Sequence, residues 1–256
     1  MSKLSQEIRK DIPGKKAINK YLKYAFGEII LMVISILLAV QVDDWNRKRI
    51  ETNEVHTIIE NLGNEFNQNK SNLQLKIEEL DSSFYNARKL IDLVGKSKSE
   101  LKRHNIDSLL AISFKYKKFN PSEDVISALL QSGRLKLLKK NTIKDLLFHW
   151  SRDRIALNEH FEDLDDNTSK VLSYLTQNYS LRDFDVYTDK KLTGPSNLKI
   201  DKYAIFEDIV FENHLENHIY YIHGYGERLK KTKKIINEII SFVKAKELEK
   251  ESYSPE

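Results

Sequence analysis

The chain has 256 residues, with 42 Lys and Arg against 38 Asp and Glu, and it contains no cysteine. The lack of cysteine excludes a disulfide framework and a cysteine nucleophile. The formal charge of +4 arises within residues 1–50, which hold ten basic and five acidic residues, so the remaining 206 sum to −1. That balance denies the main part of the chain the basic face a nucleic-acid-binding domain needs.

Residues 1–23 are polar and basic, broken at Pro13-Gly14, and read as a short cytoplasmic tail. Tyr24 to Val42 follows as an apolar run holding Ile29, Ile30, Leu31, Val33, Ile34, Ile36, Leu37, Leu38 and Val40. A helix rises about 1.5 Å per residue, so crossing a hydrocarbon core takes roughly 20 residues, a length this run just meets. All faces between Ile29 and Val40 are apolar, whereas a core helix of a soluble domain carries a polar stripe. Leu37 and Val40 stand where a cleavable signal would need small residues, so the run reads as an uncleaved signal anchor. Ser35 can bond back to its own helix. Glu28 falls near the headgroup end, where it stays hydrated, or it makes a helix contact beside Gly27.

Seven Lys and Arg in residues 1–23 face only Glu7 and Asp11, while Arg47, Lys48 and Arg49 are outnumbered by acids over residues 43–56. The positive-inside rule therefore places the N-terminus in the cytoplasm and the C-terminal domain in the periplasm of a bacterial inner membrane. Tyr21, Tyr24 and Trp45 stand where interfacial aromatics belong.

Beyond Asp43-Asp44 the pattern is helical. Val55, Ile58, Leu62, Phe66, Leu73, Ile77, Leu80, Phe84, Ala87, Ile91 and Val94 recur at threes and fours, with Asn69 filling the one gap. Asp81-Ser82-Ser83 is the expected bend and Gly95 the expected stop. A short helix is expected over Asp107 to Phe114. Asn120-Pro121-Ser122-Glu123 has the form of a helix start, with Asn120 as cap, Pro121 in the first turn and Glu123 bonding back. That helix is expected to end at Ser132-Gly133.

Asn141 is expected to cap a long helix with the seam Ile143, Leu147, Trp150, Arg154, Leu157, Phe161, Leu164, Thr168, Val171, Leu175. Leu181 to Leu198 reads as a loop with a strand-like piece. A last helix is expected from Tyr203 to Lys250, with the seam Leu215, Ile219, Ile222, Gly226, Leu229, Lys233, Ile236, Ile240, Val243. Gly226 marks a kink or a close helix contact, and residues 251–256 fray. The expected fold is all-α: one transmembrane helix continuing into a long-helix bundle or coiled-coil-like domain over residues 43–250.

Chemistry is sparse. His214 and His218 are four apart with Glu212 nearby, a spacing that can bind zinc, but Leu215 stands where a metalloprotease would place its glutamate. The plainer reading puts both histidines at exposed positions beside the seam. Glu162, Asp163, Asp165 and Asp166 ring a helix as a solvated face. Asp183, Asp185 and Asp189 could hold calcium but match no complete loop motif. No phosphate loop or nucleophile elbow occurs, and no cofactor is expected.

The stretch YAFGEIILMVISILLAVQVDDWNRKR resembles the opening of a family of single-pass membrane proteins of the Bacteroidota, catalogued as a domain of unknown function. Gly27-Glu28-Ile29, the apolar run, Gln41 and Trp45-Asn46 carry the likeness. Asp43-Asp44 departs from that family's usual Asn. Ala128 to Leu138, ALLQSGRLKLL, resembles its Leu-x-x-Ser-Gly-x-Leu turn, with Ser132 and Gly133 in place. The resemblance implies membrane residence and a helical domain, and brings no activity. The expected role is interaction, as scaffold, tether or sensor, with the lipid bilayer, a second copy or an envelope protein as partner. The alternative is a membrane-tethered metal-binding protein or hydrolase built on His214 and His218.

Overall fold

The computed structural model describes residues 15–138, 141–188 and 191–251, with side-chain surroundings given from Tyr24 to Leu248 outside the gaps. Expectations for residues 1–14 and 252–256 therefore fall outside the described residues. The described chain is all-helical and without strands. Its elements are α1 (Lys15–Asp92), α2 (Lys98–Leu101), α3 (Ile106–Ser113), α4 (Asp124–Gln131), α5 (Asn141–Asn178), α6 (Leu181–Asp185) and α7 (Ile209–Glu251). Two 3-10 turns, Arg134–Leu137 and Ala204–Glu207, precede α5 and α7. The chain divides into two compact units, residues 1–56 and 57–256.

The first unit contains the apolar stretch of α1. From Tyr24 onward it is long and apolar enough to cross a membrane by length and composition, with mean hydropathy 2.3 in its best window and none of that window buried. Ser35 Oγ donates to Leu31 O at 2.8 Å, so its hydroxyl is satisfied within the helix.

The second unit is organised by three rows of buried residues. On α1 the row is Ile59, Leu62, Phe66, Asn69, Leu73, Leu80, Ser83, Ala87 and Leu90. On α5 it is Ile143, Leu147, Trp150, Asp153, Leu157, Leu164, Asn167, Thr168, Val171 and Leu175. On α7 it is Phe211, Leu215, His218, Ile222, Tyr225, Leu229, Thr232, Ile236, Ile239 and Val243. Steps of three and four keep such residues on one face of a helix. The rows meet directly: Phe66 packs edge-on against Trp150 at 5.1 Å, and Phe161 against Tyr225 at 5.4 Å. A second core of Leu90, Leu93, Leu101, Ile106, Leu110, Val171, Leu175, Tyr179, Phe206 and Phe211 gathers α2, α3 and the 3-10 turn Ala204–Glu207 around the ends of the long helices.

Several expectations change. The α7 row is set one residue away from the expected seam at every second position. His218, Tyr225 and Thr232 are buried; of the expected seam Ile219 and Ile240 are buried as well, while Gly226 and Lys233 are half-buried. Both patterns alternate threes and fours, and buried partners for its polar atoms draw the second row into the core beside the first. On α5, Asp153 is buried in place of Arg154, because Asp153 pairs with Arg228 of α7. Helix α1 runs through Asp81-Ser82-Ser83 without the expected break, since Ser83 turns inward to bond another segment. Gly95 does mark the end of α1's run: it takes φ +74° and its N–H donates to Phe206 O at 2.8 Å. The short helix is Ile106–Ser113, capped by Asn105, whose Oδ1 accepts from Ser108 N at 3.1 Å. The strand-like piece expected after Leu181 is instead the helical turn α6. Helix α7 begins at Ile209 rather than Tyr203, after a 3-10 turn.

The helix start expected at Asn120 is also corrected. Helix α4 begins at Asp124, and Glu123 makes no capping bond there. Asn120 is exposed, and Pro121 lies ahead of the helix in unstructured chain. Tertiary partners override the local signal. The Glu123 carboxylate accepts from Trp150 Nε1 at 3.0 Å and pairs with Arg154 Nε at 2.7 Å. The first amides of α4 turn instead to Glu65 of α1, whose Oε1 accepts from Val125 N at 3.4 Å. The other end forms as expected: Gly133 takes φ +66°, and Ser132 Oγ donates to Ala128 O at 2.7 Å.

Gly226 sits against α1 within the uninterrupted helix α7; a Cβ there would lie 3.4 Å from Leu80 Cδ2. The tightest of the described glycine positions is Gly63, where a Cβ would lie 2.8 Å from Val243 Cγ1. Gly63→Ala is therefore expected to force α7 outward and destabilise the unit by about 1–3 kcal/mol. The thermal midpoint of the detergent-solubilised chain checks this, with Gly27→Ala, which meets open space, as the neutral comparison.

Candidate functional site

The residues expected to meet a membrane lie along α1. Tyr24 is 68 % exposed and Trp45 65 % exposed. Glu28 and Gln41 are exposed, and Gly27 has open space beside it. No helix contact is seen at Gly27 among the described residues. The Tyr21 side chain lies outside the described residues. Beyond the apolar stretch, Arg47 pairs with Asp44 one turn earlier, and the Arg49 guanidinium lies 5.6 Å from the Trp45 ring. Both contacts are surface-exposed and contribute little to stability.

The histidine pair does not converge. His218 is fully buried, contrary to the expected exposed position. Its Nε2 lies 3.1 Å from Ser113 O, a pure acceptor, so this nitrogen carries the proton. Its Nδ1 lies 3.4 Å from Thr168 Oγ1, which also bonds Tyr116 OH. Phe114 and Tyr116 cover the ring. Both nitrogens thus have protein partners. Burial pushes the His218 pKa down to about 4, and it pushes the Tyr116 hydroxyl up to about 12. His214 is half-buried against the Tyr174 ring, at 5.5 Å, and Glu212 is half-buried near the start of α7. Among the described residues, no group of three His, Cys, Asp or Glu could hold a metal ion.

Glu162, Asp163, Asp165 and Asp166 are all exposed, as a solvated face requires. Asp183 and Asp185 are engaged by backbone. Asp185 Oδ2 accepts from Leu192 N at 3.1 Å, and Asp183 Oδ1 from Ser196 N at 2.8 Å. Asp189 lies outside the described residues.

What the helices do bring together is a set of buried polar side chains around residues 112–125. Most of this connector has no regular structure, so its backbone groups need partners from elsewhere. Asn69 meets Ser122 twice: Nδ2 donates to Ser122 O at 2.8 Å, and Oδ1 accepts from Ser122 N at 2.8 Å. Ser122 Oγ donates to Glu65 Oε1 at 2.7 Å. Ser83 Oγ lies within hydrogen-bond distance of Ile112 O and Lys115 O, at 3.0 and 2.8 Å. From α7, His218 holds Ser113 O, and Tyr225 OH accepts from Phe119 N at 3.1 Å. Lower on the same faces, Asp153 pairs with Arg228 at 2.6 Å and accepts from Thr232 Oγ1 at 2.5 Å. Near α3, Asp107 is held by Tyr179 OH and by Lys202 Nζ at 2.8 Å. Sequence reasoning missed Glu65, Ser83, Tyr225, Thr232 and Asp153. The available signal was periodic: polar residues recur every seven positions at Asn69, Lys76 and Ser83, and at His218, Tyr225 and Thr232.

Comparison of the chain with known protein families, with curated proteins and with solved structures gave no match.

Two consequences can be measured. The folded pKa of His218 lies below the unfolded value of 6.5, so the fold favours the neutral ring. Its contribution is complete above pH 6.5 and is lost as pH falls toward 4, by about 3 kcal/mol. Chemical denaturation across this range is expected to show that loss, and the His218→Gln variant to lack that part of it. Asn69→Leu strands both backbone groups of Ser122 and is expected to cost about 2–4 kcal/mol by the same measurement.

Proposed function

We propose that this is a single-pass membrane-anchored interaction protein, a scaffold, tether or sensor whose helical unit works by binding rather than by catalysis. The observation that carries the reading is the apolar stretch of α1: 18 residues of mean hydropathy 2.3 with none of that window buried. Water opposes such exposure at about 25 cal/mol per Å² of apolar surface, whereas a bilayer removes the penalty. The flanking charges favour a cytoplasmic N-terminus and a periplasmic C-terminal domain in a bacterial inner membrane.

We read the second unit as a bundle of α5, α7 and the later part of α1, with coiled-coil-like rows. The three-and-four spacing of its buried residues supports this. Its buried ionisable groups support a structural role. Glu65, Asp107, Asp153 and His218 each bind a backbone group, an opposite charge or a hydroxyl of the same unit. The proposed partners are the lipid bilayer and a second copy or an envelope protein. The likeness to the Bacteroidota family belongs to the same reading, supported by the apolar run and the left-handed Gly133.

Topology is the decisive experiment. A C-terminal reporter active only outside the cytoplasm is expected to be active, and a cytoplasmic reporter at the same site silent. The reverse pattern would place the helical unit in the cytoplasm and defeat the charge argument. Recovery of the intact chain in the soluble fraction after carbonate washing would defeat the anchor itself.

A further inference from the structure

The chain enters the second unit at Thr57. From there α1 runs to Asp92, on the order of 50 Å of helix. At that far end it meets the connector between α6 and α7. Gly95 N–H bonds Phe206 O, Lys98 pairs with Asp201, and Asn105 Nδ2 donates to Tyr187 OH at 2.9 Å. Within this connector, residues 191–200 form a loop with two unusual leucines. Leu192 is 75 % exposed and Leu198 77 % exposed, above every other large apolar side chain described, the membrane-spanning stretch included.

This exposure belongs to a loop that is held in place. Asp185 Oδ2 accepts from Leu192 N and Thr193 N, at 3.1 and 3.4 Å. Arg182 Nε donates to Gly194 O at 3.0 Å, and Asp183 Oδ1 accepts from Ser196 N at 2.8 Å. Leu198 N then donates to Ser196 Oγ at 3.1 Å. The chain thus fixes the backbone at Leu192 and between the two leucines, and leaves both side chains outside.

The charges around them are asymmetric. Lys96, Lys102, Arg103, Lys191 and Lys199 are exposed at this end. The nearby acids are largely engaged: Asp183 and Asp185 by backbone amides, Asp201 by Lys98, and Asp107 by Lys202 and Tyr179. Asp208 is engaged by Tyr174, and Asp92, Glu100 and Glu207 are further described carboxylates at this end.

We propose that the loop 191–200 is a lipid-contact surface that inserts Leu192 and Leu198 into an anionic bilayer presented to it, with Lys96, Lys102, Arg103, Lys191 and Lys199 against its headgroups. Leucines presented singly suit a fluid apolar phase, which accepts them without shape matching. Exposed basic side chains beside them suit a negative surface potential. Within the second unit the loop lies at the opposite end of α1 from Thr57 and is exposed, so an added membrane surface can reach it. The inference deepens the tether reading and rests on it only for the chain's residence in a first bilayer.

The test uses the full chain in nanodiscs of zwitterionic lipid. Because the chain has no cysteine, Leu198→Cys takes a single environment-sensitive fluorophore. A matching label at Tyr220→Cys, a site 71 % exposed on α7, serves as reference. Vesicles of phosphatidylcholine alone, or enriched in phosphatidylglycerol, are then added. The Leu198 label is expected to shift to the blue with the anionic vesicles only, while the Tyr220 label stays unchanged. Added salt is expected to weaken the response. Lys199→Ala is expected to weaken apparent binding about fivefold, and Leu192→Ser about tenfold or more. No shift with anionic vesicles would overturn the proposal. So would an equal shift at Tyr220, an equal response to zwitterionic vesicles, or a shift before vesicles that grows with disc concentration, which would mark a second copy as the occupant. Failure of the chain to stay in the discs would count against the anchor instead, and is read separately by disc co-elution.

Discussion

The second unit depends on one constraint: a partly buried, non-helical connector must have its backbone polar groups satisfied. Residues 114–123 run between α3 and α4 without regular hydrogen bonding, yet Phe119 within them is buried. An unpaired buried amide or carbonyl costs about 1–3 kcal/mol, so several in sequence would outweigh the stability of a typical domain. The long helices answer with side chains. Asn69 holds both backbone groups of Ser122, Ser83 meets Ile112 and Lys115, His218 takes Ser113, and Tyr225 takes Phe119. These are the polar members of otherwise apolar rows, and their positions match the connector rather than a catalytic centre.

The same constraint explains the chemistry of His218. A buried imidazole donating to a carbonyl is stable while neutral, and burial holds its pKa near 4. The ring is a structural hydrogen-bonding group, and its titration weakens the fold rather than starting a reaction. Asp153, with Arg228 and Thr232, follows the same logic, as does Asp107 with Lys202 and Tyr179. Removing one member of such a group strands the others, which ties the helices to a particular alignment.

Apolar surface is divided in two ways. Within the second unit the rows of α1, α5 and α7 bury Leu, Ile and Phe against one another. Among the exposed apolar side chains described, the stretch of α1 from Tyr24 to Val42 is the longest run, and Leu192 and Leu198 are the most exposed. Both are flanked by basic residues, and it is this combination that the proposed lipid contacts rest on.

By itself the sequence determined the helices and the apolar span. Three-and-four spacing needs no tertiary information, and neither does the apolar composition of residues 24–42. The stops at Gly95 and Gly133 were legible too, because both take the left-handed conformation that glycine adopts without a Cβ penalty. The tertiary structure decided that α7 buries a second, partly polar row beside the expected one. Ile219 and His218 are both compatible with the period, and only the presence of Ser113 O and Thr168 makes burial of the histidine affordable. It also decided the start of α4. The cap signal at Asn120 to Glu123 is local, but Trp150, Arg154 and Asn69 claim those residues from distant parts of the chain. The period marks which polar residues on a helix share a face, but which distant group each one meets is fixed only in the folded chain.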